Sequence, residues 1–150
     1  KDKKGWLKGM YENYTRQSLP SRKYRELLGS AVCVFNSNNS FVIENILRID
    51  SNQYSWTQLL DNNTGYLKRA VEETITKTAG NSIAELFEDI IKRRNRIVHS
   101  FQITDSDDEQ RLATRDRETG KQYVITQKYL LDFIHDNERL SAMLHSLRGF

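Results

Sequence analysis

The sequence is short of cysteine, proline and long apolar runs. Cys33 is the one cysteine and Pro20 the one proline among 150 residues. One cysteine cannot form a disulfide within the chain, and no Cys-x-x-Cys or His-rich metal spacing occurs, so we expect a reducing, cytoplasmic setting and no metal or other cofactor. No apolar run approaches the roughly 18 residues that cross a bilayer. The first residues also lack the order of a signal peptide, so no membrane partner is expected.

A chain of 150 residues is usually one domain with its own core. The expected organisation is an N-terminal segment at 1–20, which could belong to a longer protein, followed by a helical domain at 21–150. The formal net charge of +3 is too small to identify a partner by itself. Four basic residues nevertheless fall close together on one predicted helix: Lys92, Arg93, Arg94 and Arg96. Such a cluster is either a solvated helix end or a nucleic-acid contact.

The first predicted helix begins at Ser21, directly after the proline, and runs to about Arg48. Its apolar stripe keeps the same phase, at about 100° per residue, on both sides of an asparagine-rich middle. Asn38 and Asn39 fall on that stripe, so we expect a polar layer inside the fold, with a helix break as the alternative. Cys33 is expected to be a small core residue.

The second and third predicted helices meet at an Ala-Gly-Asn break. The second is capped by Asn63 or Thr64 and ends at Gly80. Ser82 and Glu85 then have the spacing of a capping box for the third helix, which is predicted over 83–101. Its apolar arc contains Ile83, Leu86, Phe87, Ile90, Ile91, Ile97, Val98 and Phe101.

A β-hairpin is predicted before the last helix. Two short extended runs flank a Glu-Thr-Gly-Lys turn in which Gly120 can take a positive φ. Thr126 then begins the last helix, which carries an apolar face up to Leu147. The predicted fold class is therefore all-α, a bundle of about four main helices with a small hairpin appended before the last one.

Arg94 falls near the middle of the apolar arc of the third helix. A charged residue there must be paired or must line a cleft, because an unpaired buried charge is too costly to keep. Asn95 and His99 stand four residues apart at the rim of the arc, where their side chains can touch. The structural alternatives are a pairing of Arg94 with Glu88, Asp89 or a carboxylate of the first helix, and a contact of His99 with helix-terminal carbonyls.

The sequence RNRIVH at 94–99 resembles the Arg-x4-His motif of HEPN domains (higher eukaryotes and prokaryotes nucleotide-binding), where a polar residue commonly follows the arginine. The helix order agrees over most of residues 20–148. The resemblance implies a metal-independent endoribonuclease that acts as a homodimer in phage defence, as a toxin, or in a stress response. In that reading the catalytic residues are Arg94, Asn95 and His99, and the residues that bind the RNA are Lys92, Arg93 and Arg96.

The chemistry that the resemblance implies needs two chains. Cleavage through the 2′-OH requires a base and an acid, and two copies of His99 in one cleft would supply them. Arg94 would hold the phosphate, and Asn95 would orient His99 or a phosphate oxygen. Phe101 stands where toxins controlled by a nucleotidyltransferase antitoxin carry a tyrosine. Phenylalanine has no hydroxyl, so an antitoxin that modifies the tyrosine hydroxyl is excluded.

The partners that the resemblance allows are the RNA substrate, a second copy of the chain, and an antitoxin of another kind or a larger defence protein. The alternative function is a non-catalytic HEPN-like module that binds a nucleotide, RNA or a partner protein through the same cleft.

Overall fold

The computed structural model describes residues 12–149. Of the N-terminal segment expected at 1–20, residues 1–11 lie outside that range, and residues 12–20 run without helix or strand. The carboxylate of Glu12 accepts hydrogen bonds from Arg22 and Arg25 at 3.0 and 2.6 Å. The Ser18 carbonyl accepts one from the Gln102 amide at 2.7 Å. The described part of this segment is therefore bonded to the helical domain near both of its ends.

Helix α1 spans Arg22–Ile49 without a break. The Ser21 hydroxyl caps it by accepting from the Tyr24 N–H at 3.2 Å. Its asparagine-rich middle stays helical because the buried Asn38 amide donates to the backbone and side-chain oxygens of Asn137, at 2.6 and 3.0 Å. The unbroken helix and its polar layer at Asn38 are confirmed.

The opposite side of α1 faces solvent. Val32 and Cys33 are both exposed there, so the core position predicted for Cys33 is wrong. Buried residues such as Ala31 and Phe35 follow the helical repeat of three and four residues. Cys33 lies about 200° around the helix from Ala31, outside that stripe.

Helices α2 and α3 follow, and α2 is the short segment Trp56–Asp61. The Asn63 side chain caps α3 by accepting from the Tyr66 N–H at 2.9 Å, as predicted. Gly80, at φ 85°, ends α3 where the break was predicted. Helix α3 consists of an α-helical part at Thr64–Val71, a π-helical turn at Glu72–Thr76 and a last α-helical turn at Lys77–Ala79.

Helix α4 spans Ser82–Val98. The predicted capping box is wrong, because Asn81 takes the N-cap position and no side chain among the described residues caps this helix. Ser82 already lies inside the first turn, where its hydroxyl cannot take the capping role. The helix also ends three residues before Phe101, its predicted last position.

Three strands come next: β1 Phe101–Thr104, β2 Gln110–Arg115 and β3 Gln122–Ile125. They form one antiparallel sheet in the order β1-β2-β3, with Ala113 paired to Phe101 on one side and to Val124 on the other. Gly120 takes φ 71° in the connection between β2 and β3. The predicted hairpin is confirmed.

Helix α5, Gln127–Arg148, closes the chain and packs along α1 as the most extensive helix pair. Thr126 caps it, as predicted, by accepting from the Tyr129 N–H at 3.0 Å. The buried Tyr24 hydroxyl attaches the sheet to α1, since it donates to the Ile125 carbonyl at 2.6 Å and accepts from the Leu112 N–H at 3.1 Å. None of the described helices is both long and apolar enough to span a bilayer.

The predicted all-α fold class is wrong. About 64% of the described residues are helical, in five helices, but the three-stranded antiparallel sheet makes the fold mixed α and β. The difference arises at β1. Phe101 keeps the 100° phase of the preceding apolar arc, yet residues 101–104 pair with β2 and widen the predicted hairpin into a sheet.

Candidate functional site

The end of α4 holds the three residues of the predicted site. The His99 N–H donates to the Asn95 carbonyl at 3.0 Å, which makes His99 the C-cap residue. The N–H and the hydroxyl of Ser100 both donate to the Ile97 carbonyl, at 3.3 and 2.6 Å. These bonds satisfy carbonyls of the last turn, and the chain leaves the helix for β1 directly after them.

Arg94 lies in a small groove between α1, α4 and α5, of about 80 Å³. Its guanidinium carbon stands 4.8 Å from the centre of the Phe35 ring, close enough for a cation–π contact. Its Nε is buried without a hydrogen-bond partner, and burial lowers the pKa of the guanidinium. We call this the Arg94 groove; its other lining residues are Ala31, Val32, Asn36, Ile97, Val98 and Phe133.

Arg94 has no carboxylate within ion-pair distance among the described residues. Glu88 is 3.0 Å from Lys68, and Asp89 is 2.7 Å from Arg93. The carboxylates that could have made Arg94 a structural ion pair are thus engaged elsewhere. Arg94 is a half-buried cation that contacts an aromatic ring and no anion.

Asn95 lies in different surroundings, although it is the next residue. It lines a second cleft, between α3 and α4, of about 220 Å³. Its side chain forms no hydrogen bond with any described residue, so the amide is available to a ligand. We call this the Asn95 cleft; it is also lined by Thr64, Gly65, Lys68, Val71, Ala84, Phe87, Glu88, Ile91 and Lys92.

His99 is exposed at the helix end, one residue beyond Val98 of the Arg94 groove. Its imidazole has no hydrogen-bond or ion-pair partner among the described residues. Asn95 and His99 are therefore joined by a backbone hydrogen bond, and no hydrogen bond joins their side chains. Within one chain the three residues share a helix end but form no hydrogen-bonded side-chain cluster.

The three residues predicted to bind RNA differ in their availability. Arg93 is the most engaged, with an Nη 2.7 Å from both Asp89 and Asp136. Arg96 donates to the Arg115 carbonyl at 2.8 Å and so holds β2 against α4. Lys92 is the freest, because its side chain is 73% exposed and 3.8 Å from its nearest carboxylate, Glu88.

Two features of the site were not predicted from the sequence. The first is the Phe35 ring beneath Arg94; the apolar stripe indicates that Phe35 is buried but not which residue of α4 it meets. The second is Lys68, which stands across the Asn95 cleft from α4. The position of Lys68 on α3 could have been used to predict that it faces α4 only if the packing of α3 on α4 had been known.

Comparison with protein-family models, with curated proteins and with solved structures finds no match to this chain. Among the described residues, no three His, Cys, Asp or Glu side chains converge as ligands of a metal ion. The function is therefore inferred from the geometry at the end of α4.

Proposed function

We propose that this chain is a HEPN-type, metal-independent endoribonuclease that acts as a homodimer. The observation that carries the proposal is Arg94, a half-buried cation without an anion, in a groove whose lining residue Val98 directly precedes the exposed His99. Keeping a desolvated charge unpaired is costly, and an RNA phosphate in the groove mouth would offset that cost. Arginine suits this role because its planar guanidinium can donate two parallel hydrogen bonds to one phosphate.

A second copy of the chain would complete the site. Val32 and Val98, which line the groove, are 44% and 57% exposed, and Phe101 just beyond is 44% exposed. A two-fold contact through these apolar side chains would remove them from water and bring the second His99 to the same groove. One chain alone has no second imidazole at the end of α4.

The reaction then proceeds by transfer of the phosphoryl group within the RNA: a bond from phosphorus to the 2′ oxygen forms, and the bond from phosphorus to the 5′ oxygen breaks. His99 of one chain takes the proton of the 2′-OH, and the 2′ oxygen attacks the adjacent phosphorus. His99 of the other chain donates a proton to the departing 5′ oxygen. Arg94 stabilises the charge that develops on the phosphorane oxygens. The products are a 2′,3′-cyclic phosphate and a 5′-hydroxyl, and Lys92 and Arg96 lie on the same helix for contacts to flanking phosphates.

A cytoplasmic defence or stress-response role follows from this activity as part of the same proposal. Cytoplasmic RNA is the substrate within reach, and the one cysteine, Cys33, is an exposed free thiol, which suits a reducing compartment. Cleavage of the host's own RNA would arrest growth, as expected of a toxin or an abortive-infection effector.

Cleavage of a labelled RNA in EDTA is the direct test. We expect the wild type to cut the RNA and to leave a DNA oligomer of the same sequence intact, because the DNA lacks the attacking 2′-hydroxyl. His99→Ala and Arg94→Ala should each lose at least about a hundred-fold in rate. Full cleavage by both variants would refute the assignment.

Dimer formation has its own test, with a matched pair of surface variants. Val98→Asp places a charge on the exposed apolar rim of the groove and should give a monomer by sedimentation, with cleavage lost. Leu60→Asp changes a residue that is 48% exposed on α2, away from the groove, and should leave the dimer intact. A wild-type monomer at micromolar concentration would contradict the shared site.

A non-catalytic RNA-binding module is the second candidate. The observation in its favour is that Arg94 and Asn95 line separate clefts and that neither side chain is bonded to His99. Such a module would bind uncleavable and natural RNA equally and would cut neither, whereas Arg94→Ala would still weaken binding.

A further inference from the structure

The Asn95 cleft combines apolar walls with a charged mouth. Its floor and sides come from Val71, Phe87 and Ile91, and all three are buried. At the mouth the Nζ atoms of Lys68 and Lys92 lie 3.0 and 3.8 Å from one oxygen of Glu88. The cleft is therefore built for a ligand with an apolar ring and an anionic edge.

The charge at the mouth is positive on balance. Two lysines share one carboxylate. The hydrogen bond from Lys68, together with the charge of Lys92, lowers the pKa of Glu88, so Glu88 is ionised at neutral pH. The two lysines and Glu88 therefore carry a net charge of one positive unit. The lysine side chains are 50% and 73% exposed, which lets either of them turn from Glu88 to an incoming phosphate.

The Asn95 amide supplies the recognition chemistry. It offers a donor and an acceptor in one plane, the pattern with which asparagine reads the edge of a base, and no described residue uses either. Bases can enter such a cleft only when they are unstacked, which is how proteins read single-stranded RNA.

We propose that the Asn95 cleft takes one unstacked base of an RNA strand, with Asn95 at the base edge and with Lys68 and Lys92 on the flanking phosphates. This rests on the proposed function, because it treats the strand that enters the cleft as the strand cleaved beside Arg94. Arg94 and Asn95 are consecutive on α4, with side chains about 100° apart around the helix, so one strand must pass over the surface of α4 to enter both clefts. The cleft then sets which nucleotide lies next to the scissile phosphate.

The experiment measures binding without cleavage. Fluorescence anisotropy is recorded with 2′-O-methyl oligomers of A, C, G or U, which cannot be cut, at two salt concentrations. We expect the wild type to prefer one base, and Asn95→Ala to lose about ten-fold on that oligomer with little change on the other three. Lys68→Gln and Lys92→Gln should instead weaken all four alike and lower the salt slope by about one.

A cleft-filling variant and a charge control complete the set. Ala84→Leu adds volume at a half-buried position of the cleft and should make binding indifferent to the base. Its circular dichroism and Tm are compared with the wild type, and Asn95→Ala carries the test by itself should Ala84→Leu unfold. Lys128→Gln removes an exposed charge on α5, paired with Asp132, and should change no binding constant.

Three results would overturn the proposal: a wild type without base preference, a base preference that survives in Asn95→Ala, or free mononucleotides that bind as tightly as the oligomers. Failure of the proposed nuclease looks different. If no natural RNA is cleaved while the base preference exists and depends on Asn95, the cleft binds RNA in a non-catalytic module. If RNA is cleaved with no base preference, the nuclease stands and the cleft assignment fails.

Discussion

Arg93 and Arg94 are neighbours on α4 with opposite surroundings. Arg93 has a terminal nitrogen 2.7 Å from two carboxylates, those of Asp89 and Asp136, and its guanidinium carbon is 5.7 Å from the Phe133 ring centre. The Arg94 guanidinium lies over the Phe35 ring, and no carboxylate of the described chain pairs with it. The Nε atoms of both are buried without a hydrogen-bond partner. The difference is that Arg93 joins α4 to α5 through carboxylates, whereas Arg94 lies beside a groove and has no carboxylate partner in the described chain.

This difference separates a structural arginine from a candidate functional one. An ion pair between helices holds the fold together, because loss of one partner leaves the other charge uncompensated. A cation without an anion does little for the fold, since its desolvation is not offset. Methionine is the suitable replacement at both positions, because its helix propensity matches that of arginine.

The largest expected difference is in RNA cleavage. Arg94→Met should lower the rate by about a hundred-fold or more, because the charge that stabilises the phosphorane is lost. Arg93→Met should stay within a few-fold of the wild type, measured at a temperature where both variants are folded. Equal losses in the two variants would mean that the motif arginine acts only through the fold.

The second difference is in stability, and it has the opposite order. Arg93→Met should lower the free energy of unfolding by about 1–2 kcal/mol, because Asp136 keeps only a weaker contact with Arg139 at 3.6 Å. Arg94→Met should leave stability unchanged or raise it by up to about 1 kcal/mol, since a desolvated charge is replaced by an apolar side chain. Urea denaturation monitored by circular dichroism measures both.

The contrast between these arginines could be predicted only in part. The helical phase placed Arg94 on the apolar arc of α4. The four predicted main helices and the hairpin occur in the predicted order, but the short helix α2 was not predicted. The partner of each arginine could not be predicted, because Asp136 lies more than forty residues away and its proximity depends on how α5 packs. β1 was missed for a related reason, since Phe101 fits a helical phase and only pairing with β2 makes it a strand.

A third difference concerns the ring beneath Arg94. In a double-mutant cycle, Phe35→Leu and Arg94→Met should couple by about 0.5–1 kcal/mol, the usual size of a partly exposed cation–π contact. The corresponding cycle of Phe35→Leu with Arg93→Met should give a coupling close to zero. A coupling at Arg93 as large as that at Arg94 would show that Phe35 responds to repacking and not to the cation.

The smallest effect concerns the arginine cluster at the start of α1, where the side chain of Arg22 is 84% exposed and that of Arg25 is 27% exposed. Hydrogen bonds from Arg22 and then Arg25 lower the pKa of Glu12 from 4.5 to about 2. A carboxyl whose pKa is lowered by folding stabilises the native state above its unfolded pKa, and it loses that contribution as the pH falls toward the folded value. The contribution of Glu12 should therefore be complete above about pH 4.5 and should disappear toward pH 2.

Glu12→Gln should remove this part of the pH dependence, as should Arg22→Gln combined with Arg25→Gln. The measurement is the Tm difference between each variant and the wild type from pH 2 to pH 6, expected to be small at pH 2 and to grow as the pH rises. A Tm difference that does not change with pH would contradict the ion pair. Glu12 lies in a segment without helix or strand, whereas Arg93 and Asp136 join two packed helices, so the effect at Glu12 should be the smaller of the two. Together the three sites would rank arginines by what surrounds them: a pair with the segment before α1, an interhelical pair, and a half-buried cation without an anion.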